Sequence, residues 1–338
     1  MRLVGRKEAT LRIIVEEYIA QAVPVASQTI VNKYGLEVSP ATIRNDVAYL
    51  ESEGYVTRPH TSAGSVPTDK AYRYYVTSLS EDIGLSPIER HLIYQLYQET
   101  KEEIEQWLKL AAALLARFVH NIAVITYPVA LRCRFRHLDV VALQDFLALL
   151  ILVLSQAKVR QQVLSFSRRV TQEELTKLAN KLNVIYVGMT SNEISTSKAE
   201  LSPDEEQVSE CIVKMIDAED RLQYGKFYLE GLRLMLSQPE FANSPRILNI
   251  LEVLEEENWL RNIPWRELNK GEVKVIIGQE NPEPALQDLS LVVSQYGIPD
   301  KAGGIVGVLG PKRMDYVRAI SSLSCFSALL SNSVAEYV

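Results

Sequence analysis

Residues 39–52 read SPATIRNDVAYLES, and this stretch predicts a helix with one buried side and one open side. The serine and proline that begin it suit the cap position and the first helical position. Ile43, Val47 and Leu50 are spaced at i, i+4 and i+7, so they share one side of the helix. We therefore expect that side to face a hydrophobic core.

The opposite side of this helix carries small and hydrogen-bonding side chains, with Asp46 near its edge. Arginine can pair with guanine and asparagine with adenine, while alanine or threonine methyl groups can touch the methyl group of thymine. An ordinary surface helix carries more lysine and glutamate, although a merely solvated face is the alternative. The predicted base-contacting residues are Ala41, Thr42, Arg44, Asn45, Ala48 and Tyr49.

The segments on either side of this helix predict a winged helix-turn-helix over residues 1–80. One helix is predicted before Pro24, a second over 25–34, and a strand over 55–58. Three short helices followed by a strand pair and a loop are typical of this fold, whose third helix enters the major groove of DNA.

The turn-rich loop over 59–67 is the predicted wing. Its hydroxyl, imidazole and amide groups are of the kind that bind phosphate oxygens, and three basic residues flank it. A generic turn is the alternative for such a loop, and a local hydrogen bond is the alternative role of its histidine. The predicted phosphate-contacting residues are Arg58, His60, Thr61, Ser62, Lys70 and Arg73.

The charge distribution assigns any DNA contact to the N-terminal end. The chain of 338 residues carries 36 Lys/Arg and 42 Asp/Glu, a net charge of −6. Nine Lys/Arg and eight Asp/Glu fall within residues 1–80, giving +1, while the remainder carries −7. Because DNA repels an acidic surface, we expect specificity to depend on base contacts and not on general basicity.

The rest of the chain predicts an α+β multidomain protein. Strands are expected between 138 and 166 and again over 273–277, 289–296 and 304–309, with an acidic helical block over 201–260 between the two groups. Strands on both sides of a helical block favour an α/β domain that is interrupted by an insertion.

The longest apolar run, 146–154, has nine residues. A transmembrane helix needs about 20, so this run is better explained as a strand buried on both faces. No secretory signal follows the charged N-terminus, and the three cysteines and four histidines show no metal-ligand spacing. We therefore expect a cytoplasmic protein without a metal or a cofactor.

The glycine-rich segment 303–310, GGIVGVLG, is the feature that could suggest an enzyme. Glycines before a helix can bind phosphate, but the spacing matches neither the dinucleotide-binding motif nor the P-loop. A strand that turns at Pro311 into a helix explains the segment better. Acidic runs such as 204–206 are accompanied by no nucleophile or metal ligand, so no catalytic residue is predicted.

Several longer motifs resemble the HrcA family of heat-inducible transcription repressors. They are SPATIRND at 39–46, PHTSAG at 59–64, YLEG at 228–231, QPEF at 238–241 and GVLGPKRMDY at 307–316. The resemblance therefore spans essentially the whole chain. Ser65 and Ala71 depart from the family pattern, which has arginine and glycine there, and the missing arginine could weaken phosphate contact.

The resemblance implies a fold and a function. The fold would be a winged helix over 1–80, followed by a linker helix and the first part of a GAF-like domain over 81–175. A mainly helical inserted dimerising region over 176–264 would precede the second part of the GAF-like domain over 265–338. The function would be that of a homodimeric repressor of chaperone genes, which binds the inverted-repeat operator called CIRCE on double-stranded DNA. Its activity would be lost on heat shock and modulated by the chaperonin GroEL. A regulator whose GAF-like domain senses a small effector is the alternative.

Overall fold

The computed structural model describes residues 3, 5–34, 39–60, 63–79, 85–100, 103–130, 133–155, 158–222, 226–241, 247–255, 258–261, 268, 271–298 and 301–337. The chain divides into two compact units. The first unit comprises Met1–Pro128, Gly225–Ile298 and Gly303–Val338, and the second comprises Val129–Tyr224 with Pro299–Ala302.

Helices and strands alternate in a mixed order that fits an α+β protein. In chain order they are α1 (Arg6–Gln21), α2 (Ser27–Tyr34), α3 (Pro40–Ser52), β1 (Val56–Thr57), β2 (Val66–Pro67), α4 (Asp69–Thr77), α5 (Pro87–Thr100), α6 (Ile104–Val119), β3 (Ile122–Thr126), β4 (Val129–Ala130), β5 (Phe135–Gln144), β6 (Leu147–Leu154), β7 (Val159–Ser165), α7 (Gln172–Tyr186), α8 (Ser191–Ser195), α9 (Pro203–Leu222), β8 (Phe227–Glu230), α10 (Leu232–Leu236), α11 (Ile247–Glu255), α12 (Asn258–Arg261), β9 (Val273–Ile277), β10 (Leu289–Ile298), β11 (Ala302–Pro311) and α13 (Tyr316–Tyr337). Single 3₁₀ turns occur at Pro239–Phe241, Gly278–Glu280 and Pro284–Leu286.

The N-terminal elements α1 to α4 with β1 and β2 form the predicted winged helix-turn-helix. Strands β1 and β2 pair antiparallel, with Val56 opposite Pro67. A further antiparallel bridge joins Val25, between α1 and α2, to Ser65 before β2. The wing is thus attached to the helices at its base by backbone hydrogen bonds, which do not depend on side-chain identity.

Helix α3 begins and packs as its sequence predicts. The Ser39 hydroxyl accepts a hydrogen bond from the amide of Thr42 at 3.2 Å. Ile43, Val47 and Leu50 are buried, and α3 contacts both α1 and α2. Full burial of one such side chain contributes roughly 1.5–3 kcal/mol, so this apolar stripe fixes which side of α3 remains open.

The central sheet of the first unit has the strand order β8-β3-β11-β10-β9. Strand β3 pairs antiparallel with both β8 and β11, and β9 pairs antiparallel with β10. Helix α6 packs on β3, and α13 packs on β10 and on α6. Strands β9, β10 and β11 confirm the three C-terminal strands predicted from sequence, whereas β3 and β8 are additions to that prediction.

The glycine-rich segment 303–310 lies within β11 and is buried. A Cβ atom at Gly304 would lie 2.5 Å from the Oγ1 atom of Thr126, and one at Gly307 would lie 3.1 Å from a methyl carbon of Val124. The glycines therefore allow close packing around β3. This confirms the interpretation as a strand that leads through Pro311 into a helix.

The second unit contains a three-stranded antiparallel sheet in the order β5-β6-β7. Helix α7 packs on β5, and α9 contacts both α7 and α8. Side chains from β6, such as Leu150, share one buried cluster with Leu178 of α7 and Ile212 of α9. The unit therefore has a hydrophobic core of its own.

The predicted limits of the insertion, 176–264, are wrong. The chain leaves the central sheet after β3 and re-enters it at β8, where Leu229 lies opposite Val124. The strands between 135 and 165 therefore belong to the insertion, which is a mixed unit and not mainly helical. The chain from 225 onward belongs to the first unit, apart from Pro299–Ala302. Strand β8 escapes prediction because it has four residues within an acidic, helical stretch.

The apolar run 146–154 forms β6 but is buried on only one face, contrary to the prediction of two. Its residues alternate between buried and half-buried from Leu147 to Leu154. Helices α7 and α9 contribute to the core on the buried side. The other side leaves Leu149, Ile151 and Val153 partly accessible within a single subunit.

Candidate nucleic-acid interface

The six predicted base-contacting residues lie together on the open side of α3. The exposed ones are Ala41, Arg44, Asn45 and Ala48, and the half-buried ones are Thr42 and Tyr49. Small side chains at two of these positions leave room for a base edge to approach the helix backbone. The structure therefore confirms the exposure of this surface, while base contact by each residue stays a prediction.

Asp46 is buried and does not lie at the edge of the open side, contrary to the expectation. It is 3 % exposed, and its two carboxylate oxygens accept hydrogen bonds from Nε and Nη2 of Arg6 at 2.5 and 3.2 Å. A two-point arginine contact neutralises the carboxylate between α1 and α3. The open side of α3 consequently carries less negative charge than its sequence indicates, which favours an approach to DNA.

Lys7 is a basic residue at this surface that the sequence pattern does not single out. Its Nζ atom lies 3.3 Å from the centroid of the Tyr49 ring, a cation–π contact. The contact holds a positive charge beside the C-terminal half of α3. Lys7 and Tyr49 lie in different helices, and no spacing rule relates them, so only the folded structure brings them together.

The wing is described in part. Thr61 and Ser62 lie outside the described residues. His60 is exposed, and its carbonyl oxygen accepts a hydrogen bond from the amide of Ala63 at 2.9 Å. Arg58 lies at the base of the wing, where its Nη2 atom is 3.4 Å from a carboxylate oxygen of Glu51. Both remain candidates for phosphate contact.

The two departures from the family pattern lie in packed positions. Ser65 is 3 % exposed and exchanges backbone hydrogen bonds of 2.8 and 2.9 Å with Val25. Ala71 is completely buried in α4. Neither side chain is presented on the surface of the wing in this chain.

Lys70 and Arg73 occupy different environments although both lie in α4. Lys70 is exposed, and its Nζ atom donates to the carbonyl oxygen of Glu53 at 2.6 Å and lies 4.3 Å from the Tyr55 ring centroid. Arg73 pairs with Glu280 and donates to the carbonyl oxygen of Val275 at 2.7 Å. The structure therefore corrects the prediction for Arg73, because its guanidinium is directed to the central sheet and not to the wing.

A metal centre, a reactive thiol and a membrane span each place their own requirements on the described residues. The described part of the chain contains no group of three His, Cys, Asp or Glu side chains that could hold a metal ion. Burial raises the pKa of Cys133 to about 12, so its thiol is protonated and unreactive at neutral pH. Every helix in the described ranges is too short or too polar to cross a bilayer.

The fold and the open side of α3 define a helix-turn-helix DNA-binding regulator. A family model described as a DeoR-like helix-turn-helix domain matches residues 13–68. A second model, described as the HrcA protein C terminal domain, matches residues 105–320. The two matches cover the winged helix and most of the remaining chain.

Curated relatives extend this similarity to the full length. A heat-inducible transcription repressor HrcA from Dehalococcoides mccartyi is 45% identical over 335 residues, covering 99% of this chain and 96% of the relative. A repressor of the same name from Roseiflexus castenholzii is 36% identical, covering 99% and 95%. The chain belongs to the HrcA family of heat-inducible transcription repressors, which are regulators and not enzymes.

One solved structure supports the fold. A crystal structure described as that of a hypothetical protein superimposes with a TM-score of 0.58 and 22% sequence identity, covering 100% of both chains. At this identity the match concerns the fold alone. It agrees with an N-terminal helix-turn-helix followed by an α/β region.

Gly64→Ala should displace the wing. A Cβ atom at Gly64 would lie 2.5 Å from the carbonyl oxygen of Pro24 and the carbonyl carbon of Val25, which are backbone atoms and cannot rotate away. Such overpacking costs about 1–3 kcal/mol. We expect a lower Tm and weaker binding to all DNA sequences, measured by circular dichroism and fluorescence anisotropy. Ala63→Ser is the control. A Gly64→Ala variant with the Tm and the DNA affinity of wild type would contradict the described packing.

Proposed function

We propose that this protein is a cytoplasmic, homodimeric repressor of chaperone operons that binds an inverted-repeat operator of the CIRCE type. The observation that carries the proposal is the open side of α3, which combines hydrogen-bonding and small side chains with a buried, neutralised Asp46. Such a surface suits direct readout of base edges in the major groove. Membership of a repressor family supports the regulatory role.

The roles of individual residues follow from their chemistry. Arg44 and Asn45 are exposed and can each make two hydrogen bonds to a base, with guanine and adenine as the preferred partners. Ala41, Thr42 and Ala48 would contact thymine methyl groups. Tyr49 would complete the base-contacting set, while Arg58, His60 and Lys70 would contact the sugar-phosphate backbone.

Arg44→Ala and Asn45→Ala should each weaken operator binding by about 1–3 kcal/mol and relax discrimination at one base pair. Lys70→Ala should weaken binding to every sequence and lower the salt slope by about 1. Footprinting of DNA upstream of the organism's own chaperone genes, at varied salt, measures the operator affinity and the salt slope.

Arg12→Ala, which removes an exposed cation in α1, is the control for these variants. Full operator discrimination by the Asn45 variant would contradict the role of α3.

The sheet of the second unit supports the homodimer. One face of β6 is flanked by exposed apolar residues of the neighbouring strands: Val141 lies opposite Leu149, which lies opposite Val163, and Val153 lies opposite Val159. We call these five residues with Ile151 the open face. Asp139 and Gln161 lie opposite Ile151 on the same face, so the apolar residues form two patches around a polar pair. Exposed apolar patches rimmed by polar residues often mark contact surfaces between proteins. A second copy would cover the open face through a two-fold, self-complementary contact.

Ile151→Glu should convert the dimer into a monomer, because it replaces the apolar side chain between the two patches with a second carboxylate beside Asp139. Sedimentation velocity measures the change in mass. Gln162→Glu is the matched control, since Gln162 lies opposite the buried Leu150 and so belongs to the other side of the sheet. The Ile151 variant should bind a single half-site normally and the complete operator more weakly. A variant that remains dimeric would exclude the open face as the interface.

We further propose that activity is lost on heat shock and that the chaperonin GroEL favours the active repressor. The family to which the chain belongs supports this part of the proposal. Native proteins are marginally stable, so a modest rise in temperature can unfold a repressor that depends on assistance.

The chaperonin proposal predicts a change in operator occupancy at a fixed repressor concentration. Occupancy should rise when GroEL is added and return to its starting value when GroEL is first loaded with an unfolded protein. A filter-binding assay with labelled operator measures both, and a non-chaperone protein of equal concentration is the control. Equal occupancy in all mixtures would contradict modulation by the chaperonin.

A further inference from the structure

Two adjacent cations after β11 connect the central sheet to the winged helix. The Nζ atom of Lys312 donates to both carboxylate oxygens of Asp69, the first residue of α4, at 2.8 and 3.2 Å. The Nη1 atom of Arg313 donates to the carbonyl oxygen of Ile19 near the end of α1, at 3.2 Å. One short segment of the sheet domain thus contacts two helices that form the body of the winged helix.

A second ion pair reinforces the connection, with the cation on the winged helix and the carboxylate on the sheet domain. Arg73 of α4, one helical turn after Asp69, pairs with Glu280 and donates to the carbonyl oxygen of Val275 in β9. The amide of Gln279 also donates to Asp69, at 3.2 Å. Helix α4 therefore has directional contacts with the central sheet at two successive turns.

Arg313 is itself held in place by the sheet domain. It pairs through two nitrogens with the carboxylate of Glu240, and its Nη2 atom lies 3.2 Å from the side-chain oxygen of Gln238. The side-chain amide nitrogen of Gln238 in turn donates to the carbonyl oxygen of His120 at 2.9 Å and to Oδ1 of Asn121 at 2.8 Å. A guanidinium that makes a bidentate contact and further hydrogen bonds has a defined orientation, whereas a lone surface lysine does not.

The backbone near Asp69 is shaped to fit these contacts. Gly278 has a φ of +52°, and a Cβ atom there would lie 2.0 Å from a carboxylate oxygen of Asp69. A side chain at this position would displace the Asp69 carboxylate from its contacts with Lys312 and Gln279. Only glycine permits the observed approach at this backbone conformation.

Two buried tyrosines pack in the same junction. The rings of Tyr72 and Tyr316 have centroids 5.9 Å apart, and burial raises the pKa of each phenol, so both are neutral at physiological pH. Apolar packing of this kind holds surfaces together but specifies their relative direction weakly. Ion pairs that remain partly accessible to water add little to stability, so Lys312 and Arg313 contribute to geometry more than to adhesion.

We infer that Lys312 and Arg313 are positioning residues for DNA recognition, although neither lies in the winged helix. They fix the orientation of the winged helix on the central sheet, and this orientation determines where each subunit of a dimer places its recognition helix. Half-site spacing is a geometric consequence of that placement. The inference rests on the proposed homodimeric, two-half-site function, and it assigns the spacing preference to this junction.

The experiment compares DNA affinity across half-site spacings. Full-length wild type, Lys312→Met, Arg313→Met and the double variant are titrated with the inverted repeat from upstream of the organism's chaperone genes. Further fragments carry spacers lengthened or shortened by one, two and three base pairs, or one half-site only. Lys109→Met, which removes a cation paired with Glu105 within the sheet domain, is the matched control.

We expect the variants to lose about tenfold in affinity for the natural spacing, because a less defined orientation lowers the effective concentration of the second half-site. Their affinity should vary less with spacing than that of wild type, while single half-site affinity and the salt slope stay unchanged. The charge exchange Lys312→Asp with Asp69→Lys should restore the wild-type spacing profile in part.

Three results would overturn the inference. A wild-type spacing profile in the double variant would show that the junction does not set the spacing. An equal loss of affinity on one half-site would show that these cations act on the recognition helix or on DNA directly. If wild type itself showed no preference between one and two half-sites, the proposed dimeric function would fail, and the positioning role with it.

Discussion

The pairing of β3 with β8 is the interaction on which the organisation of the chain depends. It joins segments on either side of the whole insertion, and α6 packs on both strands. Because the entropy cost of closing a loop grows slowly with its length, a short pair of strands can hold the two ends of a long insertion together. Gly231 follows β8 with a φ of +89°, and a Cβ atom there would lie 2.2 Å from the carbonyl oxygen of Asn121. This close approach explains the glycine of the YLEG motif.

Sequence reasoning succeeds where the determining contacts are local. The cap at Ser39 and the buried stripe of α3 follow from spacing within one helix, as does the exposure of Arg44 and Asn45. It fails where partners are distant in the chain. The burial of Asp46 by Arg6, the pairing of Arg73 with Glu280 and the return of the chain at β8 all depend on tertiary contacts that no periodicity encodes.

The same tertiary contacts further reduce the number of cations that the N-terminal region leaves free. Arg6 and Arg73 neutralise carboxylates within the protein, so fewer cations face DNA than the sequence contains. Lys7 and Lys70 remain near the recognition helix and the wing, each against a tyrosine ring. A protein with few free cations binds non-specific DNA weakly, which fits the proposal that base contacts and subunit geometry discriminate between sites.

The one-sided burial of β6 also has a consequence for the solubility of the protein. A subunit without a partner carries an apolar sheet surface in water, and such surfaces promote indiscriminate self-association. If the proposed dimer covers this face, mass action makes the uncovered fraction greatest when the repressor is dilute or newly made. The proposed dimer would therefore couple colloidal stability to assembly, because the strand that it covers is an aggregation hazard in a single subunit.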